Sequence, residues 1–489
     1  MADTRSGRPL RFAVIGAGMA GVLSAIKLTE AGYTDLTVYE KADRLGGTWR
    51  ENTYPGLSCD VPSHLYSYSF RLNPDWSHLF SPGAEIQAYL ERVAREHDVD
   101  RYIRYGDEVV SCDFIDGRWH LTTAGANSDV VDVVIAATGV LHHPKYPDID
   151  GLDSFTGAMF HSARWDHEVT LDGARVGVVG TGSTAVQITS AIVDRVAKLS
   201  LFQRTAQWVL PQENPAYTDE QKAAFRDDPA SPEDAHANLS KLFTEGFANA
   251  VVNADSPQLQ RIQQMCTANL EDNVIDPELR ERLRPDYRAA CKRLIVSGDF
   301  YQAIQRPNAE LVTDGIERIE RSGIRTSDGR LHELDVLVLA TGFDVGAFMR
   351  PMQIRGRKGT SLERSWADGP TAYLSISMPD FPNFFMLNGP NGPVGNFSLI
   401  EVAEYQFGYI LQLVERLATG ECREISARQT ALDMFETERV EATKQTVWTT
   451  GCRSWYLDAR GVPAVWPWTF DHFRSEMASP RLADYEVRV

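Results

Sequence analysis

Phe12–Ile15 is an unbroken apolar run that stops at Gly16-Ala17-Gly18-Met19-Ala20-Gly21. From residue 22 to 30, apolar and polar residues then alternate at helical spacing, and a second apolar run at 36–39 closes on Glu40. Short continuous apolar runs mark strands buried on both faces, whereas a 3.6-residue period marks a helix packed on one side. The order predicted is strand, glycine turn, helix, strand. It returns further along: Arg175–Val179, then Gly180-Thr181-Gly182-Ser183-Thr184-Ala185, a helix over 186–196 and a strand at 199–202. Two more buried strands are predicted at 131–137 and 334–340, each running into Ala-Thr-Gly. The stretch from about 212 to 286 is polar, rich in Ala, Gln, Asp and Glu, and reads as helical. Beyond residue 378 come an apolar run at 384–387, Asn388-Gly389-Pro390 and an amphipathic helix over 401–417.

Composition narrows the class. Of the 489 residues, 43% are hydrophobic and 24% charged, which suits ordered domains rather than a disordered chain, and the length allows about two to four of them. Asp and Glu outnumber Lys and Arg by 67 to 49, a net charge of −18 that disfavours nucleic acid or an anionic membrane as partner. The six cysteines form no CxxC or CxxxxC pair, so neither a metal site nor a dithiol centre is expected, and scattered cysteines fit a reducing compartment. No apolar run nears the roughly 20 residues of a membrane span. The first ten residues lack a signal-peptide core, and a cytoplasmic location is expected.

The two glycine turns carry specific physics. Gly16 permits the tight turn, Gly18 lets backbone amides approach a pyrophosphate at the helix N-terminus, and Gly21 lets the helix close on the strand. Glu40 is placed for ribose hydroxyls. In the second unit Gly180, Gly182, Ser183 and Thr184 repeat the cradle. There the following strand ends in Gln203-Arg204-Thr205, with Arg204 where an acid would repel a 2′-phosphate; NADP(H) is therefore expected over NAD(H). Two cradles imply two dinucleotides, a flavin and a nicotinamide. The fold class is α/β, with two Rossmann-like dinucleotide-binding domains and a helical insertion in the second.

Two further segments give the chain a family resemblance. Phe155-Thr156-Gly157-Ala158-Met159-Phe160-His161-Ser162-Ala163-Arg164-Trp165-Asp166 matches F-x-G-x-x-x-H-x-x-x-W-[PD] at every fixed position. The segment from Gly46 through Trp49, Tyr54, Pro55 and Gly56 to Asp60 matches G-G-x-W-x(4)-[FY]-P-G-x(3)-D. In both the chain resembles the Baeyer–Villiger monooxygenases, over about residues 10–345.

The resemblance implies FAD in the first domain, NADPH in the second, and O2 and a ketone as the other reactants. NADPH reduces the flavin, the reduced flavin traps O2 as a C4a-peroxide, and the deprotonated peroxide attacks the ketone to give an ester or lactone. The alternative within the wider group is a flavin monooxygenase that oxygenates sulfur or nitrogen. A flavin disulfide reductase would need a paired-cysteine motif, which the sequence lacks. Arg293, in Cys291-Lys292-Arg293, falls where the family has its catalytic arginine, and Asp60 is implied to hold it. Lys292, Arg204 and Thr205 are implied around the 2′-phosphate. Gly47, Thr48, Trp49, Tyr66, Val109, Ala340, Thr341 and Gly342 are implied cofactor contacts. Phe155, Gly157, His161 and Trp165 are implied gating or linker residues, His161 in a structural role rather than as a base. Tyr54 is expected to flank the cofactor groove, and Asn388, Met386 and Phe397 to line the substrate cavity. Ser454-Trp455-Tyr456-Leu457 resembles a segment that closes on bound cofactor; the DARGVPAVWPW that follows departs from the continuation of cyclic-ketone members, and the Ser58–Ser63 variant leans towards aryl or long-chain ketones. The expected division is residues 1–144 for the first part of the FAD domain, 145–211 for the first part of the NADP domain with its linker signature, 212–289 for the helical insertion, 290–345 for the rest of the NADP domain, and 346–489 for the rest of the FAD domain with the closing segment. Oligomeric state is left open.

Overall fold

The computed structural model describes residues 8–228 and 230–489, so most of the segment read for a signal peptide lies outside the described residues. Two five-stranded sheets organise the chain. In the first, Phe12–Ile15 lies between Leu36–Glu40 and Val133–Ala136, with Ile103–Tyr105 and Phe384–Met386 at the edges. In the second, Arg175–Val179 lies between Lys198–Phe202 and Val336–Leu339, with Ala309–Val312 and Ala158–His161 outermost. Each of these pairings is parallel. The central strands are buried on both faces, which is why their sequences show no alternation: Phe12, Ala13, Val14, Val176 and Val178 are fully buried.

The two halves repeat one joint. Gly16 turns at φ +101° and Gly180 at +124°. A Cβ on Gly16 would lie 2.7 Å from the Ala137 carbonyl oxygen, and one on Gly180 would lie 2.3 Å from that of Ala340. The same alanines donate their amides to Ile15 and Val179, each at 2.9 Å. Each Ala-Thr-Gly turn is thus the wall against which a glycine turn leans.

The structure departs from the sequence reading in places. The apolar stretch 131–137 is two strands, because Asp132 interrupts it: 5% exposed, it accepts hydrogen bonds from Arg8 at 2.6 Å and the Arg11 amide at 2.9 Å. A buried carboxylate with fixed partners forms a corner, so Ser128–Val131 joins an antiparallel sheet with Val109–Ile115 and Arg118–Thr123, while Val133–Ala136 joins the parallel one. The helix expected over 186–196 is Ser183–Ile192. It stops early because Asn308 donates to the Val193 and Val196 carbonyls at 2.7 and 2.9 Å and closes its end. The first helix begins at Met19, directly on Gly18.

The polar stretch is built mainly of helices, including Asp219–Asp227, Ala230–Phe243, Pro257–Asn273 and Pro277–Arg282. Thr218, Ser256 and Asp276 cap three of them through their side chains. Ile262, Cys266 and Leu270 on Pro257–Asn273 pack into the core of the second sheet. The amphipathic helix, Leu399–Ala418, shares the first core with Met19–Glu30. Against the expectation of unpaired cysteines, Cys291 and Cys452 form a disulfide across 161 positions, while Cys59, Cys112, Cys266 and Cys422 are free and buried. No spacing rule links such distant cysteines; only the fold brings their Cα atoms to 6.1 Å. Among the described residues no helix is long and apolar enough to cross a membrane.

Candidate active site

One groove of about 1820 Å³ opens on both glycine turns, well beyond the 300–1,000 Å³ or so of a single small-molecule pocket. On the first side, the helix starting at Met19 points its free first-turn amides past Gly16 and Gly18, which add no side chains to the cradle. Gly21 sits behind the wall rather than in it: its Cβ would fall 1.8 Å from the Gly16 carbonyl oxygen, so only glycine permits that approach. Glu40, 4% exposed, borders the groove and accepts from the Ala17 and Ala42 amides, both at 2.9 Å, with Arg50 also at 2.9 Å. It therefore fixes the turn's shape as well as facing the groove. Gly47, at φ +54°, faces Gly18 across the cradle, and Thr48 opens the short helix after it. Trp49 donates to the Tyr66 hydroxyl at 3.2 Å, and Tyr66 in turn reaches Met19 Sδ at 3.6 Å. Val109 completes this side.

On the second side Gly180, Gly182, Ser183 and Thr184 face the groove, beside Ala340, Thr341 and Gly342. The Thr205 carbonyl accepts from the Thr181 hydroxyl at 2.9 Å, tying the two strand ends together. Arg204 is exposed to the groove, and neither it nor Lys292 has a carboxylate in ion-pair range among the described residues. Burial pulls the Lys292 ammonium below its usual value; Asp286 opposes this and Arg204 adds to it. Lys292 also lies over the Tyr287 ring at 4.7 Å, and two neighbouring cations with no carboxylate in ion-pair range among the described residues fit a phosphate dianion. The buried Asn388 Oδ1, of a residue that also lines the groove, has no hydrogen-bond partner among the described residues, an acceptor suited to an N–H of a bound ring.

Between the cradles lies the charged centre. Asp60 forms an ion pair with Arg293 Nη2, and Arg293 Nη1 donates to the Gly395 carbonyl. Burial works against the arginine's charge, but Asp60 and Tyr456 outweigh it and hold the guanidinium above its ordinary value. The cation is fixed by three neighbours yet 29% of its side chain still faces the groove. Tyr456 was not singled out as an arginine contact; sequence order separates it from Arg293, and only the fold shows the pair. Tyr54 stands where the halves meet, donating to Gln187 at 2.9 Å and accepting from Thr184 at 3.3 Å, with its phenol pushed up to about 12 by burial. Phe397 and Asn388 border the groove, whereas Met386 does not: it is a strand residue whose side chain enters the core beneath the first sheet.

Phe155, Gly157, His161 and Trp165 lie outside the groove wall. Ala158–His161 is an edge strand of the second sheet, and a Cβ on Gly157 would lie 2.3 Å from the Asp335 carbonyl oxygen. Phe155 packs against the outer core and Trp165 meets Phe160 edge-on at 4.9 Å. His161 is fully buried. Its Nδ1 accepts from the Ala163 amide at 3.1 Å, so its Nε2 carries the proton and donates to the Gly342 carbonyl at 3.0 Å. Burial lowers its proton affinity. The ring is a neutral strut between the linker strand and the second Ala-Thr-Gly turn.

Two dinucleotide cradles opening on one groove, with a held cation between them, define a flavin-dependent monooxygenase that draws on a nicotinamide. A family model described as flavin-binding monooxygenase-like matches residues 10–219. An uncharacterized monooxygenase of Mycobacterium tuberculosis is 50% identical, covering 99% of this chain and 97% of that protein. A Baeyer-Villiger monooxygenase of Streptomyces coelicolor is 39% identical over 98% of this chain and 92% of its own length. The structure of cyclohexanone monooxygenase from Rhodococcus sp. Phi1 bound to NADP+ superposes with a TM-score of 0.88 at 29% identity, covering 98% and 99% of the two chains. The chain belongs to the Baeyer–Villiger monooxygenase family. It is an FAD-dependent, NADPH-using enzyme.

Proposed function

We propose that the groove converts a hydrophobic ketone, with aryl or long-chain arms, together with O2, NADPH and a proton, into the ester or lactone, water and NADP+. The observation that carries this reading is the Arg293 guanidinium, held by Asp60 and the Gly395 carbonyl between the two cradles. A reduced FAD held in the first cradle would supply the activated oxygen, and the part of this chain's residues is to stabilise the charge that forms at the substrate carbonyl. Negative charge that develops there needs a cation already in place, and preorganised charge in a dry site is the largest single contribution in such chemistry. Arginine suits the task because it stays protonated at every working pH. Asp60 keeps the guanidinium from swinging into solvent and leaves its remaining N–H groups free for the groove. Gly16 and Gly18 with the helix amides would hold the FAD pyrophosphate, Asn388 would meet the flavin ring, and Arg204, Lys292 and Thr205 would hold the NADPH 2′-phosphate. The wall beside Arg293 includes Val61, Leu387, Val394, Phe397 and Trp455, apolar groups that bury a ketone's hydrocarbon arms.

The test is Arg293→Ala. The variant is expected to retain FAD and NADPH-driven flavin reduction and to lose ester formation by about 100-fold or more, the loss typical when one preorganised charge contact is removed. The NADPH consumed then appears as hydrogen peroxide. Ester at the wild-type rate would remove the assignment of Arg293; sulfoxide or N-oxide from every substrate tried, with no ester from any ketone, would favour heteroatom oxygenation instead.

A further inference from the structure

The one disulfide among the described residues joins the two segments that meet at Arg293. Cys291 lies two positions before Arg293, and Cys452 lies four before Tyr456. Tyr456 is 3% exposed, and its hydroxyl and the Arg293 guanidinium act on one another's charge. It also packs against Gly395, whose carbonyl accepts from Arg293: a Cβ on Gly395 would lie 2.4 Å from the Tyr456 hydroxyl oxygen. The disulfide, Trp448 and Tyr456 share one small apolar cluster, separate from the cores of both sheets. Around this anchor the segment is otherwise open, with Gly451, Arg453 and Trp455 exposed and Trp455 also forming groove wall. Its far end is tied down, by Arg439 donating to the Pro463 carbonyl and the Trp466 amide to that of Gly392 at 3.1 Å; free of the disulfide, the stretch from Gly451 to Leu457 would be held by that cluster and by turn hydrogen bonds, the kind of element that opens locally.

We propose that Cys291 and Cys452 form a redox site that places Tyr456 on Arg293: oxidised, the pair clamps the C-terminal segment onto the groove and Tyr456 positions the cation; reduced, the segment leaves and Arg293 loses that contact. This rests on the reading of Arg293 as the cation of oxygen transfer. The chemistry balances with reactants named by class. Reduction is exchange with a dithiol, in which the protein S–S bond breaks, two thiols form and the reductant leaves as its own disulfide. Reoxidation uses hydrogen peroxide: one thiol is oxidised to a sulfenic acid with release of water, and the second thiol displaces a second water as the S–S bond forms. A monooxygenase that fails to pass oxygen to substrate releases hydrogen peroxide itself, so lost coupling would supply the oxidant that restores the clamp.

The test uses full-length holoenzyme purified without reductant. It is alkylated with iodoacetamide before and after dithiothreitol, and the Cys291 and Cys452 peptides are weighed. Both are expected to be protected before reduction, labelled after it, and protected again after one equivalent of hydrogen peroxide; two free thiols at every stage overturn the proposal. Trypsin cleavage after Arg453 should quicken about tenfold on reduction, as a locally opened segment requires, and Cys452→Ser, or Cys291→Ser if the first folds poorly, should match the reduced enzyme and ignore dithiothreitol. Equal cleavage in both redox states also overturns it. Tyr456→Phe isolates the positioning role: it should keep the disulfide, the protease resistance and the rate of NADPH-driven flavin reduction. With an aryl methyl ketone or a straight-chain 2-ketone, whichever is turned over, ester per NADPH should fall about tenfold, the scale of one hydrogen bond to a charged group. Unchanged coupling removes that role. Normal ester formation in Arg293→Ala would instead remove the reading of the arginine, while the thiol and cleavage results would still decide the clamp.

Discussion

At the scale of single residues, the net charge of −18 says less about the groove than the placement of two arginines in it, Arg293 and Arg204. Arg293 is tied to a carboxylate and a carbonyl; Arg204 carries no ion pair among the described residues and is available to a ligand. Arg204→Ala should therefore raise the KM for NADPH by about 10- to 100-fold, the equivalent of roughly 1.5–3 kcal/mol for a lost charged hydrogen bond, and leave that for NADH nearly unchanged. Steady-state kinetics with both nucleotides checks it, and equal effects on the two would mean that Arg204 does not meet the 2′-phosphate. The glycines act at the same scale: Gly21 was legible because the fingerprint requires close helix–strand approach, and the 1.8 Å that a Cβ would leave to the Gly16 carbonyl oxygen shows why no other residue serves.

At the scale of elements, strands buried on both faces and the helices that follow glycine turns were readable, since both rest on local pattern. Elements set by distant polar contacts were not. Asp132 splits an apolar run because Arg8 and the Arg11 amide reach it, and Asn308 ends a helix from more than a hundred positions away. The disulfide and the Tyr456–Arg293 contact were silent for the same reason. The docking of the helical stretch also involves a distant contact, here between rings. His64, 1% exposed, sits with its ring 4.4 Å from that of Phe225 on Asp219–Asp227 and 5.4 Å from that of Tyr217, and neither ring nitrogen has a hydrogen-bond partner among the described residues. Burial first, and nearby His236 second, push it down to about 4. The folded state thus resists a proton that the unfolded chain accepts below about pH 6.5, so stability is intact above that value and is lost as pH falls towards 4. By about pH 5 the loss should reach up to about 2 kcal/mol, and His64→Leu should abolish that part of it. Amide exchange across 219–243 at pH 7 and pH 5 is the measurement; acid-independent protection in the wild type would show that the ring is not held neutral.

At the scale of the whole molecule, what matters is the distance between the two cradles, and the segment after Trp49 sets it. Tyr54 donates to Gln187 on the second unit's first helix, Gln187 donates back to the Ser58 carbonyl at 3.0 Å, and Glu51 bridges Arg50 and Arg164. Thr53 meets His167 at 2.8 Å beside it. The backbone comes close at Gly56, which adopts φ +81°, and where a Cβ would lie 2.6 Å from the Gln187 carbonyl oxygen and 2.9 Å from Ala191 Cβ. Both the left-handed conformation and the contact exclude a side chain, so Gly56→Ala must part the two units by a fraction of an ångström or strain the loop. Gly56 is not part of the groove lining, so FAD content should hold. Hydride transfer between two separately bound rings is the step most sensitive to their spacing, and misplacement of about 1 Å can cost around 100-fold. NADPH-driven flavin reduction, followed anaerobically, should slow by about 10- to 100-fold, whereas reduction by dithionite, which needs no second cradle, should proceed as in the wild type. If both reductants act at wild-type rates, the spacing of the cradles is set elsewhere; if both slow together, the substitution has disturbed the flavin site itself rather than the gap across which it is reduced.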